Sequence, residues 1–161
     1  MVPRLALIAA AALFLSPHAK AAETADKSNP TISGDSKDDA RWVAAIGRCI
    51  KIIKTSAGKR REAQMRRLDA TGREQSENYK AQVYLARAFL SVSEARRAMR
   101  RAERAVYLAP DDQEAHIVLG LSYLQAGYKP KAAVEARKIL AAEPDNKGAA
   151  ELLRASADSE K

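Results

Sequence analysis

The sequence predicts an all-α protein built from antiparallel helical hairpins stacked into a short solenoid. Three observations predict it. Pro110 and Pro144 stand thirty-four residues apart, and each closes a similar helical stretch. The second stretch contains LGLSYLQAG at 119–127, whose final glycine, Gly127, falls where two helices need a turn between them. Upstream, Trp42, Ile46, Cys49, Ile50 and Ile53 recur at three- and four-residue spacing, which draws one apolar stripe along a helix. A fixed period of this length is the mark of stacked supersecondary units, each too small to bury its own apolar face.

The first element is a targeting segment. In 1–21, Arg4 supplies a positive start, 5–15 form an apolar run, and Ala19-Lys20-Ala21 offers a small-x-small cleavage pattern. The run is too short to span a bilayer as a helix. Cleavage there starts the mature chain at Ala22, with the bacterial periplasm as its expected destination; an uncleaved N-terminal anchor is the alternative. No cysteine stands directly after the cleavage pattern, so a lipoprotein attachment site is not expected. Residues 22–39 lack periodicity, are rich in Ser, Asp, Gly and Pro, and read as a flexible leader. Asp38 or Asp39 is a candidate cap for a helix starting near Ala40.

That helix runs to about Thr55, and Ser56-Ala57-Gly58 looks like its stop. A more polar helix follows over roughly 59–71, with Ala63, Met65 and Leu68 as its thin apolar contribution. Together 40–78 form either a plain amphipathic hairpin or a degenerate repeat over 39–72 followed by an insertion at 73–78.

The clearest units are 79–112 and 113–146. Leu85, Ala86, Phe89, Ala98, Ala105 and Pro110 of the first occupy set positions, and Leu119, Gly120, Tyr123, Gly127, Ala132 and Pro144 occupy corresponding positions of the second. Small residues let neighbouring helices lie close, while larger ones fill the space beside them. Proline ends each second helix because its ring cannot continue the hydrogen-bond ladder. Pro110-Asp111-Asp112 and Pro144-Asp145-Asn146 then supply caps for the next helix. This pattern resembles the tetratricopeptide repeat family over two full units. Three positions depart from it: Gln82 and His116 replace an aromatic, Lys129 takes a slot that Tyr128 misses by one place, and Ala102 and Ala136 replace a bulky residue. Residues 147–161 continue the register as a capping helix and charged tail, with Leu152 and Leu153 covering the open end.

The resemblance implies a right-handed solenoid that binds protein and does no chemistry. It also implies a groove lined by the first helix of each repeat, at Val83, Arg87 and Leu90 and again at Ile117, Leu121 and Leu124. That groove is mostly apolar, with Arg87 as a lone charge. Either the chain's own helices cover it, or a partner's amphipathic helix or extended segment lies in it. Family members that grip a C-terminal carboxylate use Lys and Asn where Val83 and Leu121 stand, so that activity is not carried over.

A second candidate surface is an arginine face on 94–107. Arg96, Arg97, Arg100, Arg101 and Arg104 share one arc of the helix, opposite Ala95, Ala98, Met99 and Ala102. Guanidinium forks suit carboxylate and phosphate. The face reads either as a solvated helix surface or as a patch for anionic lipid or lipopolysaccharide. Lys59, Arg60, Arg61, Arg66 and Arg67 are candidates to extend it.

The whole chain carries net charge +8, and loss of 1–21 removes Arg4 and Lys20 and no acid. A moderately basic chain attracts anionic partners. Nucleic acid is not expected in an exported protein with sparse aromatics. The lone Cys49 forms no internal disulfide or metal motif and reads as a small buried residue. His116 stands alone on its helix, so it is expected to pack at a rim rather than bind metal, and Glu94, Glu103 and Glu135 read as helix-surface acids paired with arginines. No nucleophile motif, phosphate loop or carboxylate pair stands in a catalytic setting. The expected function is a non-catalytic adaptor or assembly factor of the cell envelope, needing no cofactor or metal. Its partner is a protein or peptide, and a second copy of the chain is a further option.

Overall fold

The computed structural model describes residues 36–157, with side chains from Trp42 onward. The expected signal segment 1–21, the leader up to residue 35 and the tail 158–161 lie outside the described residues. Within the described residues the chain is all-helical and contains no strand. The helices are α1 Ser36–Thr55, α2 Gly58–Glu74, α3 Tyr79–Ser91, α4 Ala95–Leu108, α5 Gln113–Gln125, α6 Lys129–Ala142 and α7 Lys147–Ala157.

Two boundaries differ from expectation. Helix α1 begins at Ser36, so Asp38 and Asp39 lie inside its first turn rather than capping a start near Ala40. Helix α2 continues to Glu74 instead of stopping near residue 71. Its last turn is held by the wholly buried Gln82, whose Nε2 donates to Gly72 O at 3.0 Å and to Gln75 O at 2.7 Å.

From α3 onward the backbone repeats itself at thirty-four residues. Helices α5 and α6 start and stop thirty-four positions after α3 and α4, and α7 starts thirty-four after α5. Each cap recurs with them. Asn78, Asp112 and Asn146 accept through Oδ1 from the backbone N–H of Ala81, Ala115 and Ala149, at 3.1, 2.7 and 3.0 Å. A short carboxylate or amide at this position satisfies one of the four N–H groups that a helix start leaves without partners.

The turns inside the hairpins also repeat. Glu94 N–H donates to Phe89 O at 2.9 Å, and Tyr128 N–H to Tyr123 O at 2.8 Å. Both turns need a left-handed residue, Ser93 at φ 63° and Gly127 at φ 86°. Glycine adopts that backbone freely, whereas the Cβ of serine crowds it.

Packing follows a simple order. Every helix packs on its successor, and α1–α3, α3–α5 and α5–α7 also touch, so the odd-numbered helices meet in succession. Each even-numbered helix rests on the two odd ones that flank it. The core between them holds Ile53, Met65, Leu68, Leu85, Phe89 and Val118, all essentially without exposure. The even helices contribute mainly alanine: Ala98, Ala102 and Ala105 from α4, and Ala132 and Ala136 from α6, each at 0% exposure. At the far end Gly120 admits α7, because a Cβ there would lie 2.3 Å from Leu152 Cδ2. At the near end Trp42 of α1 meets Tyr84 of α3 edge-on, with ring centroids 5.6 Å apart.

The two matched turns form a reciprocal pair for test. A Cβ on Gly127 meets nothing within 4 Å, so Gly127→Ala costs only backbone strain, about 1 kcal/mol. Ser93→Gly relieves the same strain and should raise stability by about 0.5 kcal/mol after glycine's added freedom in the unfolded chain. Urea denaturation of both variants checks the opposite signs.

Candidate functional site

The six expected groove residues divide between core and surface. Val83 and Leu90 are buried at 4% and 7% exposure, in the same apolar cluster as Ile46 and Ile53 of α1. Arg87 is not a lone charge: its guanidinium meets Glu114 of α5 at 2.8 Å and ties the two odd helices together. Ile117, Leu121 and Leu124 keep part of their surface. Leu121 touches the main core, and both it and Leu124 touch the smaller cluster around Leu152. Next to them, Gln125 Nε2 donates to Leu90 O at 3.2 Å. The apolar strip left uncovered is therefore shorter than the sequence implies, and it lies on α5.

The arginine face divides as well. Arg97, Arg101 and Arg104 turn toward α2 and the loop after it. Arg97 approaches Asp69 at 3.5 Å and Glu94 at 3.9 Å. Arg101 donates to Asp69 O at 3.1 Å and reaches the Asp69 carboxylate at 3.5 Å. Arg104 donates to Ser76 O at 3.0 Å and pairs with Glu77. These acceptors lie in the last turns of α2 and in the loop after it, where the helix dipole favours cations. Gly72 makes the approach possible, since a Cβ there would sit 2.3 Å from the Arg101 guanidinium carbon. Burial lowers the Arg101 pKa and the neighbouring Asp69 opposes that shift; a guanidinium stays charged regardless. Arg96 and Arg100 point to solvent.

Three of the five arginines thus dock one hairpin on the next. The receiving residues Asp69 and Gly72 carry no periodic signal of their own. Only the presence of an acid and a glycine late in a basic, helix-forming stretch hints at them.

The acids fall differently from expectation. Glu94 meets Arg61 at 3.5 Å, in keeping with an arginine partner. Glu103 instead accepts from Tyr123 Oη at 3.4 Å. Glu135 is not a surface residue paired with arginine but is buried at 7% exposure. It accepts from Lys138 Nζ at 3.0 Å and meets His116 Nδ1 at 2.7 Å. His116 Nε2 lies 2.7 Å from Pro110 O, so the ring ties α5 to the preceding loop and to α6. Burial, with Glu103 and Glu135 nearby, raises the Tyr123 phenol above its ordinary range. Among the described residues no group of three His, Cys, Asp or Glu side chains is placed to hold a metal ion. No described helix is long and apolar enough to cross a membrane.

No known family model matches the chain, and no curated protein is significantly similar to it.

The Arg101 site generates a double-mutant test. Arg101→Ala removes a half-buried charge-assisted hydrogen bond and should cost about 2 kcal/mol. Gly72→Ala evicts the same guanidinium, so in the wild-type background it destabilises. In the Arg101→Ala background the obstacle is gone, and the change should gain stability by about 1 kcal/mol from helix propensity. Non-additive urea midpoints check the coupling. A second expectation concerns Cys49, whose thiol pKa is raised by burial against the opposing charges of Arg67 and Arg48. The thiolate is the reacting species, so alkylation by iodoacetamide at pH 7 should run slower than with a free thiol. It should accelerate only as pH climbs beyond the ordinary cysteine range.

Proposed function

We propose that the chain is an exported binding module of the tetratricopeptide type, acting as a non-catalytic adaptor or assembly factor in the bacterial cell envelope. The observation that carries this reading is the recurrence, thirty-four residues apart, of helix bounds, Asx caps and left-handed turns across α3–α7. Contacts between successive odd helices, with each even helix resting on two of them, suit a short solenoid of hairpins.

In this reading α1 and α2 are a third hairpin. Met65 and Leu68 of α2 are buried as Ala102 and Ala105 of α4 are, thirty-seven residues later. The offset is longer than thirty-four because α2 has three more residues than α4. Met65 and Leu68 stand where α4 has alanine, so α2 brings the bulkier side chains to its hairpin.

The binding strip is Ile117, Leu121 and Leu124 on α5. Its partner is a protein segment that offers an amphipathic helix or an extended apolar run. The covered residues Val83 and Leu90 play no direct part.

Two single variants separate binding from folding. Leu121→Glu places a charge on a partly buried apolar strip and should abolish capture of an envelope protein by residues 22–161 while leaving the helical circular dichroism unchanged. Phe89→Ala empties a wholly buried site and should cost about 3–5 kcal/mol. Loss of folding in the Leu121→Glu variant would reassign the strip to the core and end the groove reading.

A further inference from the structure

Beyond the groove, the outer surfaces of the even-numbered helices carry exposed cations with apolar residues among them. On α4 the exposed residues are Arg96, Arg100, Glu103 and Tyr107. Thirty-four residues later, in the same register of α6, Pro130, Val134, Arg137 and Ala141 are exposed. The two helices rest on their odd neighbours in the same way, so the two stripes face the same side. On α2 the residues thirty-seven before Arg96 and Glu103 are Lys59 and Arg66, and both are exposed.

The cations of this surface are largely unspent. Lys59, Arg96, Arg100 and Arg137 take part in no ion pair among the described residues, in contrast to Arg97, Arg101 and Arg104. Arg66 meets only Glu62 of its own helix, at 3.6 Å and with both side chains open to water. Such a pair contributes little.

Apolar groups lie among these charges. The large hydrophobic residues that stand exposed in the described chain are Tyr107, Tyr128 and Val134. Tyr107 and Val134 belong to the two stripes, and Tyr128 is the cap residue of α6, beside Lys131 at 5.5 Å. Tyr107 is 76% exposed and carries the Arg104 guanidinium 5.0 Å from its ring centre. A ring held there with its hydroxyl free suits the boundary between water and hydrocarbon, where amphipathic aromatics are stable. Guanidinium forks beside it match lipid phosphates.

We propose that the outer face of α2, α4 and α6 docks on an anionic phospholipid bilayer, with Arg96, Arg100 and Arg137 on headgroup phosphates and Tyr107 and Val134 in the interfacial layer. Charge complementarity selects the bilayer, and the exposed apolar residues distinguish it from a soluble polyanion. The arginines responsible are those that α2 does not take up, so Arg97, Arg101 and Arg104 contribute to folding and not to this contact. The surface is separate from the strip on α5, and either can fail without the other.

The test is co-sedimentation of residues 22–161, which contain every described helix, with vesicles of phosphatidylglycerol and phosphatidylethanolamine, beside vesicles of phosphatidylcholine alone. Binding to the anionic vesicles at low ionic strength, weakening as salt rises, is expected. Arg96→Gln and Arg100→Gln should each weaken it about fivefold, with helical circular dichroism unchanged. Tyr107→Ser should weaken it further at every salt concentration. Leu121→Glu should leave it intact. No binding to anionic vesicles at low salt would overturn the proposal. So would equal binding by the Arg96→Gln/Arg100→Gln form, or heparin binding of the same strength that ignores Tyr107→Ser.

Discussion

The distance between helices is the constraint on which the rest of this molecule depends. Alanine at 98, 102, 105, 132 and 136 and glycine at 120 leave almost no side chain between neighbouring backbones. Helices in such contact approach closely and interlock with the bulky residues beside them, Leu85, Phe89 and Leu119. Larger residues at the alanine sites would force strain of about 1–3 kcal/mol each. The apolar area available per hairpin is small, so no hairpin stands alone, and each gains its stability from the next. The caps at Asn78, Asp112 and Asn146 begin each new pair in the same orientation.

The first junction is made differently from the others. Alanine lines α4 and α6 where they rest on the odd helices, but α2 brings Met65 and Leu68 and the polar tie of Arg97 and Arg101 to Asp69. An ionic contact of this kind is directional, and it sets the register of α2 along α4 where smooth alanine packing alone would let it slide. Gly72 and Gln82 complete it from both sides, one by yielding space and the other by holding the helix end. Side chains that would otherwise crowd a basic surface are thereby drawn inward. What remains outside is a sparser stripe of arginines with tyrosine and valine between them, a composition quite unlike the continuous arginine face of the linear helix.

By itself the sequence determined the local elements of this protein. Periodicity of the apolar residues, proline at 110 and 144, glycine at 127 and Asx residues at 112 and 146 act through the backbone within a few residues. Helix type, number and order after residue 79 follow from such short-range effects, as does the thirty-four-residue period. The two bounds that differ from expectation, the start at Ser36 and the end at Glu74, lie where no proline or left-handed residue sets a limit. Tertiary structure alone decided which side chains remained available. Val83 and Leu90 share a helix face with Arg87, yet they pack in one core cluster with Ile46 and Ile53 of α1 while Arg87 finds Glu114. Arg96 and Arg97 are adjacent in the chain, yet one faces water and the other Asp69. A helical arc assigns a direction to a side chain, but burial and pairing depend on what stands opposite. That neighbour is brought there by packing between residues some thirty positions apart.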